Sequence, residues 1–249
     1  YIENMHALSI NIIEKNMNIC EFTETNKETC FKNAYYAPFC RIEDKESIIK
    51  NSYSLESNKM ITGPNASGKT TILKTTIFNI ILSQQIGFGF YDTATINPYK
   101  YIHCYLNIPD TSGRDSLFQA EARRCKEILE NVINNKERHF CIFDEIYSGT
   151  NPYEAISGAY AYLLYLSKHK NFNFMLTTHY VSLCEKVSKI KSIKNCHMNI
   201  NMDENNDFIY TYKLKKGIST IKGGIKVFKD LNYPDELIKK IKKNIDDAI

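Results

Sequence analysis

A chain of 249 residues, 43% of them hydrophobic, can bury one large core or two small ones, and its net charge of +4 is too small to indicate a nucleic-acid partner by itself. The eight cysteines form no C-x-x-C pair, no signal-peptide pattern opens the chain, and no apolar run reaches the roughly 20 residues that span a bilayer. We therefore expect a soluble intracellular protein with reduced thiols, without structural zinc and without a membrane span.

The first part of the chain carries weak structural signals. Residues 1–18 have apolar side chains near helical spacing and predict the end of a helix. Because the chain begins with Tyr1 rather than Met, we expect it to be cut from a longer protein. Residues 19–56 are rich in polar side chains, with short apolar pieces at 37–39 and 48–49, and they predict edge strands and loops.

The middle of the chain alternates between strand and helix patterns. Short apolar runs predict buried strands at residues 60–62, 140–143 and 172–177. Helical patterns cover about residues 69–85, 116–134 and 155–167. Strands that alternate with helices predict an α/β fold, with a parallel sheet covered by helices on both faces.

The end of the chain predicts a hairpin and a final helix. Residues 198–202 and 208–214 have strand patterns on either side of the polar segment 203–207, which is a hairpin signal. An amphipathic helix follows Pro234, and its lysine cluster is interpreted first as a solvated face.

A glycine-rich motif of the form G-x-x-x-x-G-K-[ST] lies between a predicted strand and a predicted helix. Its residues are Gly63, Pro64, Asn65, Ala66, Ser67, Gly68, Lys69 and Thr70. In this setting the backbone N–H groups and the helix N-terminus bind phosphate oxygens, Lys69 reaches the β- and γ-phosphates, and the Thr70 hydroxyl binds Mg²⁺. The motif predicts a site for ATP with Mg²⁺, and we add the next residue, Thr71, to the nucleotide-binding set.

Two acidic residues follow the apolar run 140–143. A carboxylate at the end of a strand beside the glycine-rich loop is suited to hold Mg²⁺ through water, and we assign this role to Asp144. Glu145 is then placed to polarise the attacking water as general base. Adjacent acids at a strand end are also common in turns, so the interpretation depends on the glycine-rich motif upstream.

Two further residues have a functional and a structural interpretation. His179 follows the third apolar run, where a strand end beside the γ-phosphate could present it as a phosphate sensor, although a lone histidine is more often structural. Gln85 closes the helix after the glycine-rich loop, and we include it as a candidate ligand of Mg²⁺. Position alone favours neither interpretation for either residue.

Six blocks of sequence, taken in chain order, resemble the ATPase motifs of the MutS family. They are 62–65, 67–70, 85–87, 116–121 (Ser-Leu-Phe-Gln-Ala-Glu), 144–150 (Asp-Glu-Ile-Tyr-Ser-Gly-Thr) and 178–180. The likeness extends to residues 212–214, 217, 224–225 and 234, which resemble the closing hairpin and helix-turn-helix element of the family. The resemblance implies an ABC-type P-loop NTPase with a mostly parallel central sheet and a C-terminal helix-turn-helix dimerisation element. It divides the chain into the end of a lever helix (1–18), an ATPase domain (19–215) and a dimerisation element (216–249).

The resemblance also implies roles that residue patterns alone do not give. Two ATPase domains would dimerise head to tail around two nucleotides, as a homodimer or with a related subunit, and DNA would be bound through the rest of a full-length protein. Ser116 would touch the γ-phosphate bound by the other subunit, although a helix cap is its ordinary interpretation. Asn65 would orient the γ-phosphate or water, and Ile48 or Ile49 would pack on adenine.

Several positions depart from the family pattern, which marks a divergent member. Ala66 stands where methionine is usual, residues 151–155 replace S-T-x-D-G, and residues 89–91 replace V-P-A. These changes leave open whether the chain belongs to a mismatch-repair or a recombination branch. Two other hypotheses remain at this stage. One is another ABC-type ATPase, for which residues 113–116 are a poor match to L-S-G-G-Q, and the other is a non-catalytic ATP-binding module, against which Glu145 argues.

Overall fold

The computed structural model describes residues 2–24, 28–106, 116–203, 208–219, 221 and 223–247. They form a mixed α/β architecture with two β-sheets and helices packed against them. The strands are β1 (Asn18–Phe22), β2 (Cys30–Ala34), β3 (Asn51–Ser54), β4 (Asn58–Thr62), β5 (Phe88–Gly89), β6 (Thr93–Ile96), β7 (Tyr101–Tyr105), β8 (His139–Asp144), β9 (Phe172–Thr177), β10 (Ile193–Met202) and β11 (Phe208–Lys216). The helices are α1 (Ile2–Ile13), α2 (Lys69–Ile86), α3 (Leu117–Asn134), α4 (Pro152–Leu166), α5 (Val181–Val187), α6 (Gly224–Asp230) and α7 (Asp235–Asp247).

The larger sheet has six strands in the order β11-β10-β4-β9-β8-β7. All neighbours in it are parallel except the antiparallel pair β10 and β11. The prediction of a mostly parallel sheet is therefore confirmed. Because β4, β8 and β9 run in the same direction, their carboxyl ends meet at one edge of the sheet.

The core of the protein lies on both faces of this sheet. Along β8, alternate side chains point to opposite faces, and residues 140–143 are all fully buried. Cys141 and Phe143 pack with α3, α4 and α5, whereas Phe140 and Ile142 pack with α2 and the smaller sheet. A strand buried on both faces must be apolar throughout, which explains why its pattern was easy to recognise.

The smaller sheet has five strands in the order β3-β2-β6-β1-β5 and was not predicted as a sheet. The edge strands and loops expected in residues 19–56 are present as β1, β2 and β3 with their connections, although the apolar pieces at 37–39 and 48–49 lie outside the strands. Ala37–Arg41 forms a 3₁₀ helix with Pro38 in its first turn, where the fixed φ of proline and its missing N–H are tolerated. Ile48 caps the C-terminus of a second 3₁₀ helix, Lys45–Ser47.

Three boundaries differ from the predicted ones for local reasons. Helix α4 begins three residues early, because the Asn151 side chain accepts a hydrogen bond from the Glu154 N–H and Pro152 suits the first helical position. Helix α1 ends at Ile13, and Lys15 then adopts a left-handed conformation with φ 57°. Strand β10 begins at Ile193, since its first half pairs in parallel with β4.

The predicted C-terminal hairpin and final helix are confirmed. Strands β10 and β11 pair antiparallel, and α7 follows Pro234. The connecting residues 204–207 lie outside the described residues, as do residues 113–115 of the compared L-S-G-G-Q region.

Two neighbouring strands of the larger sheet carry a buried pair of histidines. His103 Nε2 lies 3.0 Å from His139 Nδ1, and His139 Nε2 lies 3.3 Å from the Asn135 carbonyl oxygen. The carbonyl requires a proton on His139 Nε2, so His103 Nε2–H donates to His139 Nδ1 when both rings are neutral. Burial lowers the pKa of His103 to about 4 and also lowers the pKa of His139.

This pair predicts a loss of stability at mildly acidic pH. In the unfolded chain both histidines bind protons near pH 6.5, whereas the folded state keeps them neutral, so stability is full above pH 6.5 and falls as the pH decreases towards 4. We expect His103 to contribute about 2 kcal/mol to the fall in unfolding free energy between pH 7 and pH 5. Urea unfolding of His103→Gln should show a smaller pH dependence, while His6→Gln, an exposed control, should match the wild type. An unchanged pH dependence in His103→Gln would contradict this account.

Candidate functional site

The glycine-rich loop connects the carboxyl end of β4 to the first turn of α2. Gly63 has φ 154°, and a Cβ atom there would lie 2.7 Å from Ser67 Oγ. Gly68 caps α2 in a left-handed conformation with φ 94°, and a Cβ atom there would lie 3.2 Å from the Tyr212 ring. Both positions therefore require glycine, which explains why the sequence places glycines at the two ends of the loop.

The ammonium group of Lys69 lies over this loop. Lys69 Nζ donates hydrogen bonds to the carbonyl oxygens of Gly63 at 2.9 Å and Pro64 at 3.2 Å, and it lies 3.9 Å from Glu145 Oε1. Only 6% of Lys69 is exposed. Burial lowers the pKa of Lys69, and the carboxylates of Glu145 and Asp144 act in the opposite direction.

Asp144 joins three elements at the carboxyl edge of the sheet. It ends β8, and it accepts hydrogen bonds from the hydroxyl groups of Thr70 on α2, at 2.9 Å, and of Thr177 on β9. Two of the three predicted Mg²⁺ ligands, Thr70 and Asp144, are thus in direct contact. One hydroxyl and one carboxylate beside the glycine-rich loop fit Mg²⁺, which is usually held by few protein oxygens together with phosphates and water. Among the described residues, no group of three or more His, Cys, Asp or Glu could hold a metal by itself.

Glu145 follows Asp144 in a left-handed conformation with φ 53°. Its backbone N–H donates to the Thr177 carbonyl at 3.1 Å, while its side chain lies close to His179, with Glu145 Oε1 3.4 Å from His179 Nδ1. The interaction with His179 lowers the pKa of Glu145 despite burial, and Lys69 adds to this effect. The Glu145 side chain is therefore ionised at neutral pH, and it lies between the His179 ring and the Lys69 ammonium group.

A cleft of about 560 Å³ opens between the loop and the strand ends. It is lined by Asn65, Ala66, Gly68, Lys69, Thr70, Thr71, Tyr105, Leu117, Glu121, Asp144, Glu145, Ser148 and Tyr212. Most of the residues predicted from the motifs are thus brought together. Of the predicted loop residues, Ser67 is buried and does not line the cleft, and its Oγ has no hydrogen-bond partner among the described residues. His179 lies on the neighbouring cavity, which Glu145 and Asn65 also line.

An apolar pocket of about 380 Å³ adjoins the cleft, and the predicted residues Ile48 and Ile49 line it together with Tyr35 and Phe39. The cleft and the pocket share Gly68, Thr71 and Tyr212 as walls.

Tyr212 was not predicted as a site residue. It comes from β11, more than 140 positions after the loop, and no local pattern distinguishes it from the other strand tyrosines. Asn51 holds this part of β11 in place, since its side chain donates to the Tyr212 carbonyl at 3.0 Å and accepts from the Leu214 N–H at 2.7 Å.

The structure contradicts the assignment of Gln85 as a Mg²⁺ ligand. Gln85 and Thr70 lie near opposite ends of α2, 15 residues apart, which corresponds to about 22 Å along a helix axis. A glutamine side chain is far too short to cover this distance. Gln85 is exposed, and it lines neither the cleft nor the apolar pocket.

Ser116 caps α3. Its Oγ accepts a hydrogen bond from the Gln119 N–H at 3.3 Å, and its own N–H donates to Gln119 Oε1 at 2.9 Å, which completes a capping box. Ser116 is exposed and does not line the cleft of its own chain, whereas the next residue, Leu117, does. The ordinary structural interpretation of Ser116 is confirmed, and its outward position leaves the hydroxyl accessible.

No helix in the described ranges has the length and apolar character that crossing a membrane requires.

The family model described as MutS domain V matches residues 59–248. The DNA mismatch repair protein MutS of Persephonella marina is 29% identical over 199 residues, which cover 78% of this chain and 22% of that protein. The DNA mismatch repair protein MSH2 of Saccharomyces cerevisiae is 29% identical over 220 residues, covering 83% and 22%.

MutS protein homolog 4 of Homo sapiens is 30% identical over 230 residues, covering 88% of this chain and 24% of that protein. The chain thus spans less than a quarter of the length of each of these relatives. Because the model for domain V matches most of the chain and includes the glycine-rich loop and both acidic residues, this chain belongs to the MutS family.

Proposed function

We propose that this chain is the ATPase domain of a MutS-like DNA-repair protein, in which it binds ATP with Mg²⁺ and hydrolyses it to ADP and phosphate. The observation that carries the proposal is the convergence of four groups at one edge of the sheet. Lys69 and Thr70 come from the first turn of α2, and Asp144 and Glu145 come from the end of β8. We identify the loop as a P-loop and the domain as the ABC type.

The two adjoining cavities support a division of the nucleotide between them. In this proposal the loop N–H groups and Lys69 bind the phosphates in the polar cleft. The base lies in the apolar pocket against Ile48 and Tyr212, with Thr71 at the junction of the two cavities. An aromatic ring and a branched aliphatic side chain suit the faces of a purine.

Thr70 and Asp144 are the proposed Mg²⁺ ligands, the aspartate acting through water. Mg²⁺ held by these residues would neutralise the negative charge that develops during phosphoryl transfer. The contact between the Thr70 hydroxyl and Asp144 supports this assignment, because it places both oxygens within reach of one ion.

Glu145 is the proposed general base. Its lowered pKa keeps it ionised at neutral pH, so it can accept a proton from the attacking water. His179, beside Glu145, and Asn65, on the loop, are proposed to orient the γ-phosphate and the water. The proximity of His179 to Glu145 favours the functional interpretation of this histidine over a purely structural one.

The proposal extends to the assembly. Two such domains pair head to tail, as a homodimer or with a related subunit, and Ser116 of one subunit reaches the γ-phosphate bound by the other. Residues 1–18 are the end of a lever, residues 19–215 form the ATPase domain, and residues 216–249 form a dimerisation element. The names of the relatives support a role on DNA, with the ATP state switching a DNA clamp that the rest of the full-length protein forms.

Two substitutions separate nucleotide binding from hydrolysis. Lys69→Ala should weaken ATP affinity by roughly 10- to 100-fold, because it removes the cation that pairs with the phosphates. Glu145→Gln should leave affinity nearly unchanged and slow single-turnover hydrolysis by roughly 100-fold or more, because only the base is lost. Equilibrium binding and single-turnover rates measure the two effects, with Lys74→Ala on the same helix as a control. Hydrolysis at the wild-type rate by Glu145→Gln would remove it as general base.

Mixing two impaired variants tests the shared site. In a head-to-tail dimer of Lys69→Ala and Ser116→Ala subunits, one site carries both defects and the other carries none. A 1:1 mixture should therefore recover about a quarter of the wild-type ATPase activity if the subunits pair at random. Steady-state hydrolysis is measured against mixing ratio at a concentration at which dimers form.

A second substitution of Ser116 separates loss of the helix cap from loss of the contact with the phosphate. Ser116→Ala removes the cap and costs about 1 kcal/mol of helix stability, whereas Ser116→Asp keeps a capping oxygen and repels a phosphate. Each Ser116 variant should restore part of the ATPase activity when it is mixed with Lys69→Ala. If heterodimers form and the mixture never exceeds the mean of the two separate variants, Ser116 does not act across the interface.

A further inference from the structure

A buried carboxylate on α3 holds the turn that follows Glu145. Glu121 is 2% exposed. It accepts hydrogen bonds from the Ser148 N–H at 3.0 Å, the Ser148 hydroxyl at 2.8 Å and the Gly149 N–H at 3.0 Å. These three donors belong to consecutive residues of one turn, so the carboxylate fixes that turn at a single point.

The turn held by Glu121 contains unusual backbone conformations. Glu145 has φ 53° and Tyr147 has φ 59°, both in the left-handed region that side-chain-bearing residues rarely adopt. Such conformations persist only where the surrounding structure enforces them. The Thr177 carbonyl fixes the N–H of Glu145 at the start of the turn, and Glu121 fixes the far end.

The first turn of α3 packs directly on the same segment. A Cβ atom at Gly149 would lie 2.7 Å from the Phe118 nitrogen and 2.9 Å from Leu117 Cγ, so this approach is possible only for glycine. Helix α3 therefore touches the turn at two places, at Gly149 and through the carboxylate of Glu121. The capped N-terminus of α3, with the exposed Ser116, is rigidly linked to the segment that carries Glu145.

We propose that Glu121 is a positioning residue for hydrolysis, which sets the orientation of Glu145 by fixing the turn behind it. This inference rests on the proposed function and deepens it. Glu121 lines the cleft, but both of its oxygens accept hydrogen bonds from the turn, so we assign it to the turn and not to the nucleotide. Through the turn it connects the general base of one subunit to the serine that the same subunit offers to its partner. Engagement of Ser116 at the partner's nucleotide and alignment of Glu145 at its own are then linked through α3.

The test is Glu121→Gln, analysed alone and together with Glu145→Gln. The NH₂ group of a glutamine at this position cannot accept a hydrogen bond. At least one of the three hydrogen bonds that hold the turn is therefore lost. We expect the ATP affinity to stay within about twofold of the wild type and kcat to fall by roughly tenfold or more. In a Glu145→Gln background Glu121→Gln should cause no further loss, because a misplaced base and an absent base have the same consequence.

The matched control is Glu127→Gln, which changes an exposed carboxylate of the same helix and should leave kcat and affinity unchanged. If Glu121→Gln does not fold, Ser148→Ala decides instead. It removes one of the three hydrogen bonds and should lower kcat by roughly two- to fivefold at unchanged affinity. The inference is overturned if Glu121→Gln folds and has the wild-type kcat, or if Glu121→Gln does not fold and Ser148→Ala has the wild-type kcat.

Three outcomes separate this inference from the proposed function. An equal loss of kcat on adding Glu121→Gln to the wild type and to Glu145→Gln shows independent effects, which overturns positioning through Glu145. If Glu145→Gln itself hydrolyses at the wild-type rate, the proposed general base fails, and this inference fails with it. If Glu145→Gln is slow but Glu121→Gln is fully active, the inference about Glu121 is wrong and the proposed general base stands.

Discussion

The hydrogen bonds that Asp144 accepts from Thr70 and Thr177 determine the geometry of the whole site. They tie the end of β8 to the first turn of α2 and to the end of β9, and they are possible because these strands are parallel, with Asp144 paired to Thr177 in the sheet. A half-buried carboxylate without such donors would be costly, whereas one held by two hydroxyl groups is stable and fixed in direction. Thr70, Asp144 and Thr177 form a junction between α2, β8 and β9. This junction determines the positions of Lys69 and Glu145, because Lys69 precedes Thr70 and Glu145 follows Asp144 in the sequence.

Charge is balanced along a short chain of groups next to the junction. Lys69 is nearly fully buried, and burial alone would favour loss of its proton, but two carboxylates counter this effect. Glu145 lies between Lys69 and His179, so its charge is held while it remains one-third exposed to the cleft. Its left-handed backbone costs about 1 to 2 kcal/mol, which contacts on both sides of the turn must offset. Strain of this kind at a residue with a proposed catalytic role is consistent with a side chain directed by its surroundings.

The sequence predicted the parts of the fold that are fixed by local pattern. The strands β8 and β9 are apolar because both faces of the larger sheet are covered, and the glycines of the loop are required by φ and close contacts. Edge strands were predicted in residues 19–56, but their assembly into the smaller sheet was not, because these strands are short and pair over long separations, as β1 does with β6. Tyr212 was missed for the same reason, because only the tertiary fold brings β11 to the loop. Gln85 was wrongly assigned because its place in a motif block was considered without the length of the helix that separates it from Thr70.

We propose that the polar cleft and the adjoining apolar pocket form one nucleotide site. A crystal structure of the protein with Mg²⁺ and a non-hydrolysable ATP analogue tests it most directly. We expect phosphates on the glycine-rich loop within hydrogen-bond distance of Lys69 Nζ, Mg²⁺ next to Thr70 and Asp144, and the base between Ile48 and Tyr212. A nucleotide bound elsewhere, or bound on the loop with its base directed away from the apolar pocket, would contradict it.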